Sequence, residues 1–464
     1  LVGVIMSRSL VLTPIFATAV LLNPVASQTP APAPTFNKHV APILYSNCVT
    51  CHRPGEVAPM SLLNYSEVKP WGRAIKEKVL ARDMPPWYAD PQYGQFRNNR
   101  RLAQADIDTL VAWVDADSPE GDGTAPRPPE FQQGWTSAMT RPPDRVLELP
   151  FEFQLPANGD VPTFTVWLKL PFREDVFIEA IEFRPGNRSV LHHSSVTVGG
   201  LPPGTRLGKA PVWPDGPVVD GIPLFDDGKP FRASSSEEFG TPLFFYVPGG
   251  GFQRFPSGIA KRMRAGQYLV WGLHYVTTGK PEKDRSRIGL WFSKRSPHHE
   301  AFLFTVNQKV SVEGKELGSD ARGRTTLPNI PPRVENWNIT GSLVVKEAIT
   351  LYALWPHMHY RGKDMTFSVK YPNGREETLL SVPRYDPNWQ ITYELAKPLK
   401  IPARSTITAV AHYDNSTKNP RNPGPDQEVT WGPQSWNEMF LPFLEVSVDD
   451  QDLRFERLQQ DFGR

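Results

Sequence analysis

Residues 267–279 read Gln-Tyr-Leu-Val-Trp-Gly-Leu-His-Tyr-Val-Thr-Thr-Gly, "QYLVWGLHYVTTG". The run is rich in aromatic and β-branched residues and stops at Thr-Thr-Gly, the pattern of a buried strand closed by a turn. Similar runs recur from about residue 146: "SVTVGG", "STITAVAHYDNS", and "MTFSVKYPNGREETLL", whose Pro-Asn-Gly at 372–374 marks a hairpin turn. Some 300 residues of this texture, with no long helical pattern, predict two antiparallel β-sandwiches in series. The polar, Pro-punctuated stretch from Glu313 to Pro332 divides them.

The first part of the chain reads differently. Phe36, Val40, Ile43 and Leu44 repeat at helical spacing, as do Val68, Trp71, Ile75 and Val79, and then Ile107, Leu110, Val111 and Val114. This predicts a small all-α unit over 36–118. A Pro/Gly-rich linker at 119–145 follows, then sandwiches at 146–312 and 325–450. Ahead of the helices, Arg8, an apolar run from Leu10 to Leu22 and the small residues Val25-Ala26-Ser27 have the layout of a secretory leader over 1–27. A periplasmic or secreted location is the expectation, with no spanning segment in the mature chain. Fifty-one basic residues against 49 acidic ones remove the electrostatic footprint of a nucleic-acid binder.

The helical unit holds both cysteines of the chain, in Cys48-Val49-Thr50-Cys51-His52. Two thiols so spaced can ligate a metal, cycle as a disulfide, or bond to the vinyl groups of a haem while the next histidine takes the iron. A zinc site would want a second ligand pair, and the chain has no third cysteine. Export and the adjacent His52 favour haem c. For the opposite face of the iron, Met60 and Met84 are the candidates, with Met84, in "RDMPPW", preferred on its loop between helices. Here the unit resembles the small class I cytochromes c, whose distal methionine often stands in a Met-Pro-Pro loop.

Five of the ten histidines fall in three places in the β region. His357 and His359 are two apart, so a strand would present both on one face to one metal. Adjacent His192 and His193 would point to opposite faces of a regular strand, and can share an ion only at a strand end or a bulge. With His274 they could hold zinc or copper. Met439, after Glu438, adds a thioether to the His-x-His pair, a donor set suited to copper cycling between its two states. His39, His298, His299 and His412 read as surface, loop or supporting residues.

In this order "HHSS", "HYVTTG", "PHMHYRG" and "NEM" resemble the copper type II ascorbate-dependent monooxygenases, the family of peptidylglycine α-hydroxylating and dopamine β-monooxygenases. The resemblance implies one copper at His192, His193 and His274 and a second, catalytic one at His357, His359 and Met439. It also implies two jelly-roll-like domains, dioxygen as co-substrate, and an electron donor that is ascorbate or a redox protein. Trp355 and Phe443 stand where the peptide-amidating members bind the substrate carboxylate, so a small apolar or aromatic substrate is expected instead. The rival expectations are a non-enzymatic haem and copper electron-transfer or copper-binding protein, and a binding module with structural histidines.

Overall fold

The computed structural model describes residues 32–132, 134–232, 240–319 and 325–453, and Gly3. The expected leader at 1–27 falls, Gly3 aside, outside them. From Pro34 onward the chain is one compact unit. Among the described residues strands take up 38% and helices only 10%.

This corrects the expected fold of an all-α cytochrome-like domain followed by two sandwiches. Helices do form at the three apolar stripes, as a π-helical turn at Phe36–Val40 continued by Ala41–Asn47, then Gly72–Leu80 and Gln104–Asp115, with one further turn at Tyr65–Val68. They do not close into a separate α domain. Between the last two helices the chain leaves them and joins the C-terminal strands. Trp87 and Tyr88 are buried in the apolar core there, Phe96 bridges Leu395, and Asn98 donates to the carbonyl of Thr392. Trp87 meets Tyr393 edge-on at 4.9 Å between ring centroids. The local stripe pattern fixes the helices, and aromatic burial in a distant core decides where they dock.

Four principal sheets carry the β part. Two matter for the site. One runs Phe164–Lys169, Tyr268–Tyr275, Leu191–Gly199, Thr241–Tyr246; the other runs Phe302–Thr305, Leu441–Val448, Ile349–His357, Tyr393–Ile401. Pairing in the four sheets is antiparallel except for the short parallel pair of Ile259–Met263 with His299–Glu300. One apolar cluster joins Ile181 and Leu290 to Val196 and Trp271, and a second joins Leu354 and Leu444 to Phe367 and Ile339. No helix among the described residues is long and apolar enough to cross a membrane.

The segment 119–145, exposed over much of its length, is anchored at several points. Asn37 donates to the carbonyls of Gly121 and Gly123, Phe131 lies under the Arg53 guanidinium, and Trp135 meets Trp291 edge-on.

Candidate metal centres

His193 and His274 are opposite one another in the ladder between Leu191–Gly199 and Tyr268–Tyr275, and the register shifts at once, so that Tyr275 pairs with Leu191. His192 is the extra residue. This bulge turns two adjacent side chains toward one place, which a regular strand would forbid. Ring centroids are 4.9 Å apart for His192 and His193, 5.2 Å for His192 and His274, and 4.5 Å for His193 and His274. A ligand nitrogen from each lies within 4.8 Å of the others. His193 Nε2 is 2.8 Å from His274 Nδ1, and the buried Nδ1 of His192 has no hydrogen-bond partner.

Burial, then the neighbouring imidazoles, pushes His193 well below the ordinary histidine range. The same causes bring His274 down to about 3, and burial lowers His192. All three are neutral near pH 7, the form that binds a metal. An orphaned buried nitrogen and three convergent neutral imidazoles fit a copper or zinc ion.

Behind this cluster stands Asp284, almost fully buried, accepting from the Tyr275 hydroxyl, the Ser286 hydroxyl and the Asn187 N–H, each at 2.8 Å. It ties the turn before His192 to the residue after His274.

His357 ends the strand Ile349–His357, opposite Leu441, and His359 follows after the strand stops. His357 Nδ1 donates to Gln390 Oε1 at 2.7 Å and His359 Nδ1 to the Asn437 carbonyl at 3.2 Å. Both rings are thereby oriented through Nδ1, the arrangement that orients metal-binding histidines elsewhere. Burial first, then His359, lowers His357 to about 3; burial lowers His359 to about 4 against the pull of the Asn437 and Gln434 backbone. Glu438 is the brace of this group. Fully buried, its carboxylate accepts from the N–H groups of His359 at 2.8 Å, Arg361 at 2.6 Å and Met439 at 3.3 Å. Two soft-tolerant imidazoles with a thioether nearby fit copper.

Both groups line one cavity of about 340 Å³: His193 and His274 from one side, His357, His359 and Met439 from the other. Its apolar wall is an aromatic stack. Trp355 stacks on Phe245, 3.7 Å away by ring centroids, and on Phe443, 4.9 Å away, with the two phenyl rings themselves 5.8 Å apart, and its indole N–H donates to the Gln390 carbonyl. The two positions singled out in the sequence as apolar, Trp355 and Phe443, therefore face the same cavity as the histidines.

The Cys48–His52 motif forms one tight turn, with the N–H groups of Cys51 and His52 both donating to the Cys48 carbonyl. Burial pushes the Cys48 thiol up to about 12, and also raises Cys51, so both are thiols. Burial lowers His52, and its buried Nδ1 has no hydrogen-bond partner. Two thiols and an orphaned neutral imidazole on one turn fit covalent haem. A backbone group of Met60 lies beside the His52 ring, and Met60 packs on the same apolar cluster as Cys48. Met84 is half-buried at the end of the helix Gly72–Leu80, its N–H toward the Lys78 carbonyl, next to Asp83 in its ion pair with Arg384.

The remaining histidines lie elsewhere. His298 and His299 pack at Gly258 and the strand after it, His412 is held by Asp364 and Asn338, and His39 accepts from the Thr35 N–H. Sequence reasoning passed over Gln390, Asp284, Phe245 and the bracing role of Glu438. Only Glu438, adjacent to Met439, carried a local signal; the others meet their partners through the fold.

No family model and no curated protein matches the chain. Among solved structures, an uncharacterised protein from Listeria monocytogenes in complex with glucose, magnesium and calcium is 13% identical over 39% of this chain and 14% of its own, at a TM-score of 0.15. The cycloalternan-forming enzyme of the same organism is 10% identical, with 64% and 19% covered and a TM-score of 0.16. A Paenibacillus xanthan lyase is 10% identical, with 70% and 28% covered, again at 0.16. This chain spans less than a third of the length of each, and likenesses at these scores carry no argument.

Proposed function

We propose that this chain is an exported copper-dependent monooxygenase that hydroxylates a C–H bond of a small apolar or aromatic substrate. Its place in the copper type II class is an inference from the motifs quoted above. The observation that carries the reading is the sharing of one cavity by His193 and His274 of a three-imidazole group and by a His-x-His-plus-Met group, with an aromatic stack along its wall.

Bound copper would supply the one-electron chemistry that activates dioxygen, for which each turnover needs two electrons and two protons: one oxygen atom enters the C–H bond and the other leaves as water. The chain supplies the rest. His192, His193 and His274 would hold one ion, and His357, His359 and Met439 the other. Gln390 and Glu438 fix the second group before any ligand arrives, and Trp355 and Phe443 offer a flat apolar surface that excludes water from the substrate's ring.

Cys48 and Cys51 would attach a haem, with His52 as its ligand and Met84 as the candidate for the opposite face, the Met60 backbone serving to orient His52. Proximity supports a role in feeding electrons to the three-histidine group. Glu56, four residues after His52, is ion-paired at 2.6 Å with Arg188, four residues before His192. Cys51 lies against Gly249, just beyond the strand that pairs with the His192 strand.

The test is oxygen uptake by copper-loaded protein given a reduced donor, ascorbate or a reduced cytochrome, and a panel of small aromatic compounds, with labelled dioxygen tracing one atom into product. Uptake that depends on both copper and substrate supports the proposal. Two bound ions without substrate-dependent uptake would make the chain an electron-transfer or copper-binding protein instead.

A further inference from the structure

A second cavity, of about 400 Å³, abuts the metal-facing one, and the two share Phe245, Val247, Leu303, Trp355 and Gln390 as a common wall. Trp355 is anchored there by its indole hydrogen bond and by Phe443. Phe245 is half-buried and contacts the Trp355 and Phe443 rings, so its side chain is the part of the partition whose size a substitution can change. On the far side lies a buried ion pair: Lys261 Nζ is 3.0 Å from Glu445 Oε1, and also donates to the Leu243 carbonyl, while Gln253 donates to Glu445 Oε2. This group is internally neutral. A charged ligand end placed against this pair would be desolvated at a cost, whereas a neutral hydrogen-bonding end is accommodated; Arg100, which lines the same cavity, donates to the Gly249 carbonyl.

We infer that the second cavity is the distal half of the substrate site: an aromatic ring stacks on Trp355 and Phe443, and a neutral polar tail passes Phe245 toward Lys261 and Glu445. The inference rests on reading the metal-facing cavity as a substrate pocket. Phe245 is then the specificity-determining residue that sets how long a tail the site accepts. Opening the partition joins the two spaces, and each methylene newly buried against their apolar side chains strengthens binding about four-fold.

The experiment uses the metal-free full chain and the series of ω-phenyl-1-alkanols from benzyl alcohol to 6-phenylhexanol, with dissociation constants measured by calorimetry. In the wild type affinity rises along the series and levels off at a limiting chain length. In Phe245→Ala it continues to rise, about four-fold per carbon, for at least two further carbons. Phe245→Leu, which keeps apolar packing, gives an intermediate limit and decides the matter if the alanine variant does not fold. The same limiting length in wild type and variants, or failure of the whole series to bind, overturns the inference. Because no turnover is involved, a shifted limit in a protein that takes up no oxygen would remove the enzymatic reading and leave this one standing. An unchanged limit in an active enzyme would do the reverse.

Discussion

His193 and His274 face each other across a strand pair with Nε2 and Nδ1 only 2.8 Å apart. Two neutral imidazoles at that distance share one N–H in a hydrogen bond, and an ion entering between them requires that proton to move to the donor ring's other nitrogen. Because burial keeps His193 and His274 neutral well below pH 7, with His274 down to about 3, binding at this group should weaken only when pH falls into the acid range where these rings protonate.

Copper titration is expected to fill two independent sites per chain. His274→Ala should abolish one and leave the other, and Met439→Ala should weaken Cu(I) at the remaining site more than Cu(II), because a thioether favours the reduced ion. A single site in the wild type, or loss of both ions in either variant, contradicts this. Gln390→Ala removes the partner that orients His357 and should lower affinity at that site by about 10–100-fold.

Glu438→Ala orphans buried N–H donors of His359, Arg361 and Met439. At about 1–3 kcal/mol for each donor left unpaired, the loss is large enough to see by urea denaturation of metal-free protein. Glu438→Gln keeps one acceptor oxygen and should lose less. Equal stability of the alanine variant and the wild type would show that water or another acceptor takes over the carboxylate's bonds.

Much of this was legible in local sequence and some was not. The run Met365 to Leu380 became the hairpin Gly362–Lys370 and Glu376–Val382, with Gly374 at a φ of +85° in its turn, because alternation and a Pro-Asn-Gly turn are local signals. The helices appeared where apolar residues repeat at helical spacing. The separate α domain did not, because Trp87, Tyr88 and Phe96 find their partners near residue 390, and no local pattern records that. Likewise the bulge at His192 was available only as one of two ways to make neighbouring histidines converge.

Asp284, behind the three-histidine group, offers a pH test of stability in the metal-free protein. Burial raises its carboxyl above the ordinary value, against the hydrogen bonds of Tyr275, Ser286 and Asn187. A raised folded-state value means that its contribution to stability is fully present below about pH 4 and is lost as pH rises through the shifted value. The stability of the wild type minus that of Asp284→Asn should therefore be smaller at pH 7 than at pH 4. A difference that stays level or grows toward neutrality refutes this.

For the haem, intact-mass measurement of protein matured with its cytochrome-assembly machinery should show one haem increment that survives acid–acetone extraction. Cys51→Ser should reduce attachment to the single Cys48 thioether. Met84→Ala should leave the mass unchanged and lower the reduction potential; an unaltered spectrum and potential would exclude Met84 as the ligand.

Asn98 donates to Thr392, 294 positions away along the chain, and Trp87 fills a socket beside Tyr393. A contact of that span sets a schedule for folding. The N-terminal segment emerges first, yet its aromatic residues have nowhere to go until the last third of the chain has arrived, and closing so long a loop is entropically slow. In the interval those rings are exposed to solvent and to other chains, which makes early aggregation the characteristic hazard of this fold. A polypeptide begun after residue 101 would escape the wait and leave the socket empty, so its C-terminal core would be the part to suffer.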